Sequence, residues 1–492
     1  MSQRPNLNFE SRMLIDGRLV ETIEGTTFDN VNPATEEVIG ACSDASKRDM
    51  EQAIAAARRA FDETDWATNK ALRKQCLEEL AEALEYEREE FRQELVAEVG
   101  CPVATTKAGQ LDGPLREALR WPAKYIEEFD WERDLGVDES SGTTNRLVVT
   151  KEPVGVVGAI VPWNYPLGVT LDKLGPALAA GNTVVLKAAP DTPFNALRLG
   201  RLAVERTNLP PGVLNVVTSS DHLVGEVLTL DPRVDLISFT GSTVTGRRIM
   251  EKGAASLKRL FLELGGKSAQ ILLDGADLEA IVPKAALLCT HAGQGCTMTT
   301  RLLVPRSRYE WTLETLKEAF ESVHYGNPTD PQNIMGPVIN ARQRDRILGY
   351  IEKGKEEGAA LVTGGGRPAH LPKGFYVEPT VFGVPDNRIT ISQEEIFGPV
   401  LCVIPHDGDD DAVRIANESQ YGLGGAVNSG SLERSMAVAR RIRAGVIGVN
   451  GGRWYSPMSP FGGFKQSGLG RQYGREGFEQ YLETKTVAAL VD

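Results

Sequence analysis

Long apolar runs are missing from this chain. The most apolar stretch, residues 154–162, is short and glycine-broken, far from the roughly 18 apolar residues of a membrane span, so no membrane partner is expected. Positive charge is in deficit. A formal net charge of −13 argues against nucleic acid or an anionic lipid surface as partner and favours solubility. Histidine is scarce, five in 492 residues, with no H-x-x-x-H or H-E-x-x-H arrangement, and no metal site is expected. The six cysteines, Cys42, Cys76, Cys101, Cys289, Cys296 and Cys402, form no C-x-x-C pair. That scatter reads as reduced, cytoplasmic usage and not as a disulfide framework. The opening Met-Ser-Gln-Arg-Pro-Asn has no apolar core, so no secretory leader is expected.

What is present is an ordinary globular composition in a chain too long for one core, which predicts two or more domains. Residues 13–20 read as a hairpin turning at Asp16-Gly17. Residues 46–61 read as an amphipathic helix capped by Ser46, and residues 72–99 as one or two more helices. Beyond residue 150 short apolar runs at 154–161, 183–186, 213–217 and 236–239 alternate with helical stretches at 195–207 and 223–230. This alternation predicts an α/β fold with a parallel sheet covered on both faces, binding ligands at the carboxyl ends of its strands. A second alternating block spans about 270–450, and residues 131–150 read as a strand excursion from the first domain.

Four fragments could carry chemistry. Phe239-Thr-Gly-Ser-Thr-Val-Thr-Gly246 follows a strand and precedes a helix, where free N–H groups suit a phosphate. Arg247-Arg248 stand where a P-loop needs lysine and a hydroxyl, so triphosphate hydrolysis is not expected, and a plain helix start fits the same residues. Leu262-Glu-Leu-Gly-Gly-Lys267 sets a carboxylate, Glu263, inside an apolar strand, a costly placement unless the group is paired, hydrated or functional. Gly293-Gln-Gly-Cys296 puts a thiol after a flexible loop and before Thr297-Met-Thr-Thr-Arg301. At a helix N-terminus such a thiol would be a stabilised thiolate nucleophile; otherwise it is a small buried apolar residue. Pro162-Trp-Asn-Tyr-Pro166 is a rigid turn displaying an amide able to meet an oxyanion.

In this order and at these separations the four fragments resemble the aldehyde dehydrogenase superfamily. So do Glu394-Glu-Ile-Phe-Gly-Pro399, Tyr421-Gly-Leu423 and Ser459-Pro-Phe-Gly-Gly-Phe-Lys-Gln-Ser-Gly468. The resemblance implies a Rossmann-like cofactor domain (1–127 and 150–262), an α/β catalytic domain (263–465) and oligomerisation strands (128–149 and 478–492) in a homodimer or homotetramer. It implies Cys296 as nucleophile, Asn164 with the Cys296 N–H as oxyanion donors, and Glu263 as general base for hydrolysing the thioester. It implies NAD(P) contacts from Ile160, Pro162, Trp163, Lys187, Gly225, Phe239, Ser242, Leu264, Glu395 and Phe397. Three residues after Lys187, where many NAD-preferring members carry glutamate, this chain has Pro190 followed by Asp191. NAD is the commoner cofactor of the family, and NADP stays open on this departure.

By the same resemblance Tyr165, Val169, Asp172, Thr290, Thr297 and Tyr455 line an aldehyde tunnel, with Trp454 nearby. Two tyrosines suit a hydrophobic or aromatic aldehyde, Asp172 disfavours anionic semialdehydes, and Arg453 is the residue that would favour them. Transfer of the acyl group to coenzyme A is the rival reaction, against which Glu263 speaks. A non-catalytic binding protein would have no need of Cys296, Glu263 and Asn164 together. A cysteine hydrolase would need a base such as His291, which reads instead as a pocket-wall or buried residue.

Overall fold

A computed structural model describes residues 8–491. The leader expectation rests on residues 1–6, which lie outside the described residues. Two large sheets organise the chain. The first has eight strands, in the order Gly468–Leu469, Arg259–Glu263, Leu236–Thr240, Val156–Ile160, Thr183–Lys187, Leu214–Val217, Met13–Ile15 and Arg18–Val20. The five central strands run parallel and are almost fully buried, because helices cover both faces and every side chain must be apolar or paired. The edges are antiparallel. At one of them Asp16 and Gly17, both in the left-handed region at φ +54° and +71°, make the two-residue turn expected of Asp-Gly.

The second sheet has seven strands, parallel except at the Ala360–Thr363 edge, and holds the 270–450 block. Strand Arg259–Glu263 ends the parallel run of the first sheet, and after five intervening residues Ala269–Leu272 starts in the second. Glu263 therefore stands where the chain passes between them. Residues 131–150 leave the first sheet as foreseen: Glu132–Asp138 and Asn145–Pro153 pair antiparallel with each other and with the C-terminal Leu482–Leu490.

Among the helices, Lys47–Glu63 begins at a reciprocal cap in which Ser46 and Asp49 satisfy each other's backbone N–H. Residues 72–99 become Lys70–Tyr86, Arg88–Glu94 and a π-turn, Leu95–Val99, that ends at left-handed Gly100. No helix among the described residues is long and apolar enough to cross a membrane.

Candidate active site

The carboxyl ends of four adjacent parallel strands line up in register. Ile160 pairs with Lys187 on one side and Phe239 on the other, and Thr240 pairs with Glu263. Helix His222–Leu230 carries Gly225 over the Lys187 stem, with no atom nearer than 3.9 Å to the place of a Cβ, so a side chain there would fill the space. Helix Thr243–Gly253 starts from Ser242, whose Oγ accepts from the Thr245 N–H at 3.2 Å. The buried Lys187 ammonium donates to the Ser219 carbonyl at 3.1 Å. Burial lowers its pKa to about 8, opposed by Asp191 and Asp44. Asp191 itself is occupied, its Oδ1 accepting from Asn340 at 2.8 Å.

Across the cleft, Glu395 accepts from the Gly266 N–H at 2.9 Å, and burial raises its carboxyl to about 7. Helix Ala341–Glu356 holds this segment: Gln343 and Arg346 donate to the carbonyls of Phe397 and Ile396 at 2.8 and 2.7 Å. Phe397 sits at φ +60°, and its ring meets Trp163 edge-on with centroids 5.4 Å apart. Leu264 is buried against Gly246, where any Cβ would collide with it. Pro162 opens the turn between Ile160 and Trp163. This donor set suits a dinucleotide: a cation, a capped helix N-terminus for phosphate, a carboxylate for a ribose diol, and two rings.

The thiol stands at the inner end of this cleft. The expectation of a cysteine at a helix N-terminus is corrected here. Cys296 and Thr297 form a turn, residues 298–300 are irregular, and Arg301 already begins a strand. The loop is shaped instead by three consecutive left-handed residues, His291, Ala292 and Gly293, at φ +54°, +54° and +70°. The buried Gln294 side chain fastens it, accepting from the Ile339 N–H at 3.0 Å and donating to the His291 carbonyl at 3.2 Å. A Cβ on Gly293 would strike the Gly398 carbonyl, so Gly293→Ala is expected to cost about 2–4 kcal/mol. A melting temperature unchanged from wild type would show that the loop relaxes.

With no helix dipole to favour the anion, burial and the facing Glu263 carboxylate push the Cys296 thiol well above its ordinary pKa, opposed by the Cys296 backbone N–H. Burial raises Glu263 as well, while the buried Lys173 ammonium pulls it down. Glu263 Oε1 has no hydrogen-bond partner among the described residues. Such an orphaned acceptor is costly unless a thiol proton or a water completes it. Close approach explains the double glycine: a Cβ on Gly266 would lie 2.6 Å from the Cys296 carbonyl. Asn164 is buried and donates from Nδ2 to the Gln294 carbonyl at 3.0 Å, which leaves its second amide hydrogen unused. The His291 Nε2 and the Gln110 amide both donate to the Asn164 carbonyl, at 2.9 and 2.8 Å. His291, lowered to about 4 by burial, is neutral and committed to this bond, a loop anchor and not a base.

The expected tunnel residues divide. Asp172 and Tyr455 line one cavity, together with Tyr473, which the sequence did not single out. The Tyr473 hydroxyl donates to Asp172 at 2.5 Å and lies 3.2 Å from the Tyr455 hydroxyl, from which it can accept. Tyr165 meets His291 edge-on instead, and Val169 lies one turn before Asp172 on helix Pro166–Ala180. Thr290 and Thr297 flank the Cys296 loop, half-buried. Trp454 packs with Cys296 and Tyr473 in one small cluster, whereas Arg453 is exposed.

Comparison with known proteins agrees with this geometry. The profile of the aldehyde dehydrogenase family matches residues 20–487. A 3-succinoylsemialdehyde-pyridine dehydrogenase from a Pseudomonas species is 41% identical over 477 residues, covering 96% of this chain and 97% of that protein. Two crystal structures share the fold. One is a mutant of aldehyde dehydrogenase C from Pseudomonas syringae with NAD+ and octanal, at TM-score 0.92, 37% identity and coverage of 99% and 98%. The other is an aldehyde dehydrogenase from Mycobacterium tuberculosis with NAD+, at TM-score 0.92, 40% identity and 98% of each chain. With a family profile spanning nearly its whole length, the chain belongs to the aldehyde dehydrogenase family.

Proposed function

We propose that this protein oxidises an aldehyde to its carboxylic acid with NAD, through a thioester on Cys296 that Glu263 hydrolyses. One observation carries the reading: an orphaned, buried Glu263 carboxylate faces the Cys296 thiol at the end of a cleft with a dinucleotide's donor set. Glu263 accepts the thiol proton, and the sulfur attacks the carbonyl carbon. The free amide hydrogen of Asn164 and the Cys296 backbone N–H hold the resulting oxyanion. NAD, when bound, supplies the hydride acceptor. Lys187 and Glu395 would hold its ribose hydroxyls, Ser242 the pyrophosphate, and Ile160, Pro162, Trp163, Gly225, Phe239, Leu264 and Phe397 the remaining surfaces. After passing the thiol proton to solvent, Glu263 takes a proton from the water that attacks the thioester; the carbon–sulfur bond breaks, Cys296 leaves as thiolate and the acid departs.

Asn164→Ala is expected to lower kcat about 10²- to 10³-fold with a smaller change in KM, since the bond it removes forms mainly in the transition state. A rise in KM alone would assign Asn164 to binding instead. Among cofactors NAD is favoured. NADP is the second reading, because Pro190 offers no carboxylate to repel a 2′-phosphate and Asp191 is tied to Asn340. Comparing Kd for NADH and NADPH by nicotinamide fluorescence decides between them. The ring-lined cavity of Asp172, whose Tyr473 packs on the same small cluster as Cys296, suits a hydrophobic or aromatic aldehyde. Higher kcat/KM for succinic semialdehyde than for benzaldehyde or octanal would overturn that preference.

We assign residues 1–127 and 150–262 to cofactor binding and 263–465 to catalysis. The strands 128–149 and 478–492 serve a homodimer or homotetramer, since Leu135, Val137, Val487 and Leu490 leave large apolar side chains exposed there. Six free cysteines fit a cytoplasmic enzyme.

A further inference from the structure

Asp172 is buried, and only one of its two oxygens is used. Oδ2 accepts from the Tyr473 hydroxyl, while Oδ1 has no hydrogen-bond partner among the described residues. The lysine beside it in the chain does not complete it: the Lys173 ammonium donates to Ser238 at 3.2 Å and lies over the Phe261 ring. Asp172 lines a narrow cavity walled by Trp121, Tyr455, Tyr473 and Phe478, with the exposed Glu117 among its lining residues. Among the described residues, no lysine, arginine or histidine lines that cavity. Tyr473, on the wall of that cavity, packs against the small Leu423, Val446 and Phe461 cluster that Cys296 also packs against. Tyr473 is held at φ +60°, a strained setting for a tyrosine that places its hydroxyl between Asp172 and Tyr455.

An orphaned carboxylate oxygen among aromatic faces, with a second carboxylate in the lining and no basic group, is the environment a desolvated cation needs. We infer that Asp172 is a specificity-determining residue that selects aldehydes bearing a protonated amine. The apolar chain of the substrate lies between the rings, and its ammonium donates to Asp172 Oδ1. This rests on the aldehyde oxidation proposed above and refines the apolar substrate by fixing a charge at its far end. Groups facing Asp172 set the pH at which selection acts. Burial raises its carboxyl to about 7, with the Tyr473 hydroxyl and the Lys173 ammonium pulling it down and the Glu263 carboxylate adding to the rise. Below that pH the carboxyl is protonated and loses its hold on a cation, while an alkylammonium keeps its charge.

The test compares kcat/KM for 3-aminopropanal with its neutral isostere butanal, in wild type and in Asp172→Asn. Wild type is expected to favour the amine about tenfold or more, and Asp172→Asn to bring the ratio near one. A wild-type ratio of one or less, or a ratio kept by Asp172→Asn, overturns the inference. The wild-type ratio measured from about pH 8 to about pH 6 needs no variant, and steps common to both substrates cancel in it. It is expected to fall severalfold, and a flat ratio also overturns the inference. Pairing 4-trimethylammoniobutanal with 5,5-dimethylhexanal separates N–H donation from charge alone, and equal preference for both ammonium types overturns the hydrogen bond to Oδ1. Butanal turnover without amine preference leaves the aldehyde reading standing, whereas no NADH from any of the four removes both.

Discussion

Replacing Cys296 by alanine is expected to remove aldehyde-dependent NADH formation by on the order of 10⁴-fold or more while leaving the protein folded. Cys296 is half-buried on a turn, and its loop is held by Gln294, His291 and Gly293, none of which uses the sulfur. Loss of one thiol should therefore cost no more than about 1–2 kcal/mol in a melting experiment. Binding of NADH, read by its fluorescence, should persist, because the cleft residues from Lys187 to Phe397 are untouched. A folded Cys296→Ala protein that binds NADH yet oxidises aldehydes at the wild-type rate would remove the thioester from the mechanism.

Glu263→Gln is expected to slow attack by the thiol, which must then lose its proton to solvent, and to slow hydrolysis of the thioester still more. An amide cannot accept a proton from water, so the thioester should accumulate. Steady-state turnover should fall about 10²- to 10⁴-fold, with a burst of at most one NADH per subunit preceding it. Mass spectrometry of the quenched protein should show the acyl adduct on Cys296. Full steady-state rate with no adduct would mean that another group activates the water. The pH dependence has a definite sign. Burial holds the Glu263 carboxyl above its ordinary range despite Lys173, and the Cys296 thiol well above its own. Both groups act deprotonated, so kcat/KM should rise with pH, with its acid limb above the usual carboxylate region. In Glu263→Gln that limb should change shape, because the carboxylate that raises the thiol is gone.

Features made by neighbouring residues were legible in the sequence. The Asp16-Gly17 turn, the Ser46 cap and the alternation of short apolar strands with helices follow from local sterics and from burial on both faces of a sheet. The order of the four fragments pointed to Cys296, Glu263 and Asn164, which the fold brings to one place. Features made by distant contacts were not legible. No local preference announces two non-glycine residues, His291 and Ala292, in the left-handed region; Gln294 and the passage of Gly398 past Gly293 impose it. The sequence suggested a dipole-stabilised thiolate, and the structure puts the thiol on a turn facing a carboxylate, because residues 298–300 are drawn out toward a strand. Tyr473 escaped notice because its partner Asp172 lies 301 positions away.

The crossing between the two large sheets carries one more consequence. Glu263 is the last residue of a strand in the first sheet, while Cys296 sits on a loop leading into a strand of the second. Neither half possesses reactivity by itself. A nascent or partly opened chain carries an ordinary thiol with no facing carboxylate to accept its proton or to activate water. In the proposed mechanism, competence requires both layers to have closed on each other, which would make the reaction a coincidence detector for completed assembly. On that mechanism, molecules that never finish folding would be silent, and an aldehyde-oxidation assay would count finished molecules instead of total protein.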